Sequence, residues 1–159
     1  MKTLFTFLLL LFSNINCFSQ IDQNLNKIFT REINLNNGTS LKISDLKGKV
    51  VLLDFWYRGC FPCLKATPDL IKLQEEYKDN LVIIGINDRD DAEDISDYYE
   101  YKKANYLSTY KTDVNISKIL KINAFPTFII IDTNGNIVNN EIGFHKKEIR
   151  KQINQYIKK

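Results

Sequence analysis

Histidine and cysteine, the side chains that most often bind zinc, are scarce in this 159-residue sequence. There is one histidine, His145, and of three cysteines only Cys60 and Cys63 lie close together. A structural zinc site needs four ligands, and these residues supply three. We therefore expect neither a bound metal nor a cofactor.

A strong excess of one charge is also lacking. The sequence has 22 basic and 19 acidic side chains, and Lys2 is the only charged residue among the first 19. Proteins that bind nucleic acids or membrane surfaces usually concentrate positive charge. Neither partner is predicted here.

The sequence has no apolar run long enough to span a bilayer. Its first residues, Met1 and Lys2, precede a short apolar run over 4–12, and small residues lie three and one positions before Gln20. This pattern predicts a secretory signal peptide over residues 1–19, cleaved before Gln20. Lipid attachment at Cys17 is a weaker alternative. We expect a soluble, monomeric domain over 20–159, exported to the periplasm or cell envelope.

The most informative stretch runs from Val50 to Pro68. Its first four residues form a continuous apolar run, which predicts a strand buried on both faces. Cys60 and Cys63 follow at the start of a helix, which is predicted because the apolar residues after them recur at spacings of three and four. Unpaired N–H groups and the helix dipole favour a thiolate at Cys60, and Cys63 lies one turn away. The pattern predicts a nucleophile, Cys60, and a resolving thiol, Cys63.

A structural disulfide is the main alternative for this cysteine pair. A crosslink that closes so short a loop removes little chain entropy, so it would add little stability. A CxxC sequence beside a strand-helix pattern is typical of redox activity, which we favour.

The rest of the chain predicts alternating strands and helices. Weak alternation on either side of Asn36-Asn37-Gly38 predicts a hairpin, and Asn134-Gly135 predicts a second one. The strand over 81–87 is expected to run parallel to the Val50 strand. Further apolar patterns predict helices over 91–104 and 114–121. The chain closes with a predicted helix whose apolar stripe consists of Ile149, Ile153, Tyr156 and Ile157.

This order of elements resembles the thioredoxin superfamily from about residue 25 to residue 157. The exported branch that includes the reductases of cytochrome c maturation is the most similar. The likeness is carried by Phe55-Trp56, Pro62, Pro68, Pro126-Thr127 and Ile131-Asp132-x-x-Gly135. It implies an α/β fold with a central mixed sheet flanked by helices, here with an N-terminal hairpin extension.

The resemblance also implies roles for individual residues. Asp54 falls where thioredoxin has a buried acid that accepts the proton of the resolving cysteine. Pro126 would be a cis-proline facing the disulfide, and Phe125 would line the substrate groove with its backbone. Further substrate contacts are expected from the residues beside the cysteines: Trp56, Phe61 and Pro62.

Three positions depart from the family pattern. Gly59 replaces the usual tryptophan before the first cysteine, which removes an aromatic ring from the rim of the site. Ala66 replaces the glutamate of many exported members. Phe125 is bulkier than the usual residue before the proline.

The expected activity is reduction of protein disulfides, with re-reduction by a thiol protein of the membrane. Two alternatives share the fold. A thiol peroxidase would have Pro-x-x-x-Thr-x-x-Cys, whereas Asp54 to Gly59 precede Cys60. A copper carrier would bind the metal with both thiolates and His145, but related carriers have the wider CxxxC spacing.

Overall fold

A computed structural model of the protein describes residues 28–157. The expected signal peptide and the alternative anchor at Cys17 lie outside these residues. Within the described range, no helix is both long and apolar enough to cross a bilayer.

A small hairpin precedes the main sheet, as the sequence predicts. Strands β1 (Glu32–Asn34) and β2 (Ser40–Lys42) pair antiparallel, and a 3-10 turn follows at Ile43–Leu46. Gly38 has a φ of 82° in the connecting turn, where a side chain would be strained. Asn36 binds both backbone groups of Ser108, so the hairpin is fixed to the edge of the main sheet.

The main sheet contains five strands in the order β5-β4-β3-β6-β7. The central strand β3 is parallel to β4, as predicted, and antiparallel to β6 on its other side. Strands β6 and β7 pair antiparallel across the predicted Asn134-Gly135 turn. The strands are β3 (Val50–Phe55), β4 (Leu81–Ile86), β5 (Leu107–Ser108), β6 (Thr127–Ile131) and β7 (Ile137–Ile142).

Within residues 28–157, several helices connect and cover these strands. They are α1 (Phe61–Glu76), α2 (Ala92–Lys102), α3 (Ile116–Ile119) and α4 (Lys146–Ile157). The predicted helix over 114–121 is reduced to the single turn α3. Its first turn is capped by the Asn115 side chain, which accepts from the Lys118 N–H at 2.7 Å.

Successive residues of β3 point to opposite faces of the sheet and enter two separate cores. Val50, Leu52 and Trp56 face a core shared with α1, α2 and α4. Val51, Leu53 and Phe55 face a second core, closed by α3 and the segment 28–43. Asp54 therefore belongs to the face covered by α1.

Candidate active site

The two cysteines lie at the junction between β3 and α1. Cys60 is the N-cap of this 16-residue helix, with extended backbone angles. Its Sγ accepts the N–H of Cys63 at 3.3 Å, and the two residues form a disulfide. Both are almost buried, with 4% and 3% of their surfaces exposed.

This placement provides the electrostatic environment expected for a reactive thiolate. The first N–H groups of a helix lack partners within the helix, and the positive end of its dipole lies at the same point. Pro62 occupies the first turn, where its missing N–H costs nothing. Once the disulfide is reduced, these features stabilise negative charge on Cys60.

Asp54 lies on the same face of the sheet as α1 and is 4% exposed. Burial raises the pKa of its carboxyl to about 8. Its Oδ1 has no hydrogen-bond partner in the described part of the chain. Of residues 28–157, Asp54 is the only carboxylic acid buried as a whole. Such a group can take up or release a proton near neutral pH.

An aromatic cluster lies beside Asp54 on this face. The Trp56 indole N–H donates to Ser108 Oγ at 3.0 Å, and its ring stacks on Tyr99 with centroids 5.4 Å apart. Gly85 leaves room for this cluster, because a Cβ there would lie within 2.7 Å of the Trp56 and Tyr99 polar atoms. Trp56 is consequently 2% exposed. The expected contact with a substrate is limited to this small surface.

Phe125 and Pro126 lie at the same end of the sheet as the cysteines. Thr127 pairs with Phe55, the last residue of β3, so Pro126 precedes the strand beside the disulfide. The Phe125–Pro126 bond is cis, as the resemblance implies. Pro126 is buried and its carbonyl accepts the Gly143 N–H at 2.8 Å, whereas the Phe125 backbone makes no hydrogen bond within residues 28–157.

The residues between the cysteines are accessible. Phe61 is 67% exposed, and the Lys65 ammonium lies 4.7 Å from the centroid of its ring. Pro62 is also exposed. The two side chains thus form an apolar rim next to Cys60.

The positions that depart from the family pattern have distinct surroundings. Gly59 is exposed, and a Cβ there would meet the Tyr57 ring at 2.9 Å. Ala66 is 1% exposed within the α1 core, where a larger acid would have to be buried. Among residues 28–157, Asp54 is therefore the buried acid on this face of the sheet.

Two residues that the sequence analysis did not assign also lie at this end of the sheet. The Arg89 guanidinium carbon is 4.1 Å from the centroid of the Tyr57 ring and 4.7 Å from that of Phe125. The two rings meet edge to face at 5.3 Å. These residues come from three separate loops, so no local pattern in the sequence could associate them.

Metal ligands are not grouped in the described part of the chain. Residues 28–157 contain no group of three histidine, cysteine, aspartate or glutamate side chains that could hold an ion. His145 instead pairs with Glu141, with Nδ1 and Oε1 2.6 Å apart.

A CxxC disulfide at a helix start, above a buried carboxyl on a mixed five-stranded sheet, defines a thiol-disulfide oxidoreductase site. Comparisons with known proteins agree with this class. The family model described as thioredoxin-like matches residues 48–137. The chain is 35% identical over 130 residues to the thiol-disulfide oxidoreductase ResA of Bacillus anthracis, covering 77% of this chain and 69% of that protein.

Two further similarities extend this result. The thioredoxin domain of a thiol-disulfide oxidoreductase from Bacteroides vulgatus superposes with a TM-score of 0.67 at 29% identity, covering 77% of this chain and 92% of that one. The protein SUPPRESSOR OF QUENCHING 1 of Arabidopsis thaliana is 33% identical over 112 residues, which are 66% of this chain but 11% of that relative. The chain belongs to the thioredoxin-like family, in the branch of the ResA-type thiol-disulfide oxidoreductases.

Proposed function

We propose that the protein is an exported reductase of protein disulfides that acts through Cys60, Cys63 and Asp54. The observation that carries the proposal is the combination of Cys60 at the start of α1 with a buried carboxyl, pKa about 8, on the face that α1 covers. The helix start stabilises a thiolate at Cys60. The carboxyl can accept a proton in its ionised form, whose share rises as the pH approaches 8.

The first step is attack on the substrate. The Cys60 thiolate attacks one sulfur of a substrate disulfide, and a Cys60–substrate disulfide forms. The other substrate sulfur leaves as a thiolate and takes a proton from solvent. This step requires only the Cys60 thiolate, the form that the helix start favours.

The second step is resolution. The Cys63 thiol must lose its proton before it can react, because the thiolate is the nucleophile. Cys63 is also buried, so a base within the protein has to take that proton. Asp54 accepts that proton, and the Cys63 thiolate attacks Cys60 Sγ. The second substrate sulfur leaves as a thiolate and takes a proton from solvent, Asp54 releases its proton to solvent, and the Cys60–Cys63 disulfide forms. Two electrons have then passed from the dithiol to the substrate.

Reduction is favoured over oxidation by the residues between the cysteines. A strong oxidant stabilises its reduced form, usually through groups that hold the thiolate tightly. Phe61 and Pro62 carry neither charge nor side-chain donor. The oxidised product must be reduced again, and a membrane thiol protein would supply the two electrons.

A groove beside the disulfide would hold the substrate. The Phe125 backbone, which has no partner within residues 28–157, can pair with an extended segment in the manner of an added strand. Pro126 begins the strand behind it, while Phe61 and Pro62 offer apolar contact at the rim and Trp56 supports the groove from within. The substrate class is a polypeptide with an accessible disulfide.

The sequence pattern that predicts a signal peptide over residues 1–19 supports export, and we propose cleavage before Gln20 to release a soluble monomer into the periplasm or cell envelope. A disulfide reductase outside the cytosol has substrates there, because disulfides persist in oxidising compartments.

Single-cysteine variants test this assignment. The reduced wild-type protein is expected to reduce a protein disulfide stoichiometrically. Cys60→Ser removes the nucleophile and should abolish the reaction, whereas Cys63→Ser should still attack and accumulate a mixed disulfide, visible by non-reducing electrophoresis. Preferential alkylation of Cys63 over Cys60 at mildly acidic pH would contradict these roles.

A further inference from the structure

The cavity beside Arg89 contains more positive charge than its neighbours neutralise. It has a volume of about 270 Å³ and is lined by Trp56 and Phe125 of the proposed groove, together with Arg89, Lys118 and Asp88. It is therefore continuous with the place where a substrate segment would lie. Its chemistry bears on which substrates the protein accepts.

Arg89 is held in place by its two aromatic neighbours rather than by a carboxylate. Its guanidinium lies over both Tyr57 and Phe125, at the distances given above. It makes no ion pair with any acid among residues 28–157. A guanidinium stacked on aromatic rings keeps its N–H edge available for a carboxylate.

The loop that carries Arg89 is fixed to the active-site loop. The N–H groups of Arg89 and Asp90 both donate to Asn87 Oδ1 at 2.9 Å, and Asn87 is fully buried. The Asp90 carboxylate in turn accepts the Arg58 N–H and the Asn87 side-chain amide, each at 2.7 Å. The backbone at Arg89 is thereby positioned relative to the loop that leads to Cys60.

The acid nearest in sequence is already engaged. Asp88 accepts the backbone N–H groups of Ile116 and Ser117 at 3.2 and 2.8 Å. Lys118, the second cation of the cavity wall, also has no ion pair with an acid in the described range. Two cations thus face the cavity against one carboxylate that is directed to backbone donors.

We propose that this cavity binds an acidic side chain of the substrate, an aspartate or glutamate near the disulfide that is reduced. Arg89 is the specificity-determining residue, and Lys118 adds to the local positive charge. This inference rests on the proposed function and specifies its substrate as an acidic segment of polypeptide. Electrostatic complementarity of this kind selects partners and accelerates their encounter.

Cyclic peptides that differ only in charge provide the test. Each is acetylated and amidated and closed by one disulfide, with glutamate, glutamine or lysine flanking both cysteines. The second-order rate constant for reduction by the pre-reduced protein is measured for each by quenching and chromatography. Every constant is divided by that for dithiothreitol on the same peptide, which removes the intrinsic effect of charge on disulfide reactivity.

The glutamate peptide is expected to react roughly fivefold faster than the lysine peptide, within the range of exposed ion pairs. This ratio should approach one in Arg89→Gln, recover in Arg89→Lys, and fall in part in Lys118→Gln. Added salt should also reduce it. Lys147→Gln, which removes one exposed charge from α4 without breaking an ion pair recorded in residues 28–157, is the matched control and should keep the wild-type ratio.

The outcomes separate this inference from the proposed function. If the reduced protein acts on none of the peptides, the proposed function fails. If it reduces all three at the same normalised rate, or if Arg89→Gln and Lys118→Gln keep the full preference, the function stands and the acidic subsite is wrong. Because each ratio is taken within one variant, a general loss of activity cannot imitate the expected result.

Discussion

The two faces of β3 bury side chains of different character, although the strand is buried on both. Val51, Leu53 and Phe55 face a core of apolar side chains, and the buried hydroxyl of Thr127, opposite Phe55, is satisfied there by the Ala124 carbonyl at 2.8 Å. On the opposite face, the same strand places Asp54 between Leu52 and Trp56, next to a cluster that contains buried tyrosines. Oδ1 of Asp54 is buried there without a hydrogen-bond partner in the described range.

An unpaired buried polar group reduces stability, so its presence on one face needs an explanation. The affected face is the one covered by α1, which begins at the disulfide. One face therefore stabilises the sheet by burial, while the other accepts a cost at Asp54, the position where we propose proton transfer. Function and stability can be perturbed separately on the two faces.

Replacing Asp54 by Asn should have the largest effect on the pH dependence of stability. The pKa of Asp54 is raised from 3.8 to about 8 in the folded protein. Unfolding then releases a proton, so the wild-type free energy of unfolding falls between pH 4 and pH 8 and levels off above. The difference from Asp54→Asn should be on the order of 5 kcal/mol over this range, measured by denaturant titration of the oxidised proteins.

A pH profile of Asp54→Asn that parallels the wild-type profile would show that another group causes the dependence. It would remove the energetic distinction between the two faces.

Truncation on the apolar face should reduce stability without changing the chemistry. Leu53→Ala leaves a cavity where the side chain is fully buried, with an expected cost of about 3 kcal/mol. Denaturant titration should show a curve shifted uniformly across pH, unlike that of Asp54→Asn. The rate of disulfide reduction per folded molecule should match the wild type; a large loss would mean that the second core also controls the site.

The smallest expected effect in energy concerns the resolving step. Asp54→Asn should slow resolution about 100-fold, the scale of a general base, with little change in the initial attack. Rapid-quench kinetics would show the mixed disulfide accumulating in the variant. Equal losses in both steps, or none, would leave Asp54 without a catalytic role.

Much of the fold follows from local patterns in the sequence. The continuous apolar run at Val50, the Asn134-Gly135 turn and the spacing within α1 each depend on neighbours a few residues apart, and the structure confirms these elements. The burial of Asp54 was expected only from the family, because an acid at a strand end is usually exposed. Strand β5 was not predicted, since two residues carry no periodic signal.

The wall of the site could not be predicted in the same way. Tyr57, Arg89 and Phe125 are brought together by the ends of three strands, and an isolated arginine in a loop has no distinctive pattern. Likewise, the burial of Trp56 depends on Gly85 and Ser108 in neighbouring strands. Contacts between strands depend on the register of the completed sheet, which local spacing does not determine.

The central claim is that the dithiol on the face covered by α1 works as a reductant. The reduction potential of the Cys60–Cys63 pair tests this claim most directly. The protein is equilibrated with mixtures of reduced and oxidised glutathione, and the dithiol fraction is measured by alkylation and mass spectrometry. We expect a value near that of thioredoxin, about −270 mV, at which the dithiol gives up its electrons readily. A value near −120 mV, typical of strong oxidants such as DsbA, would contradict the assignment.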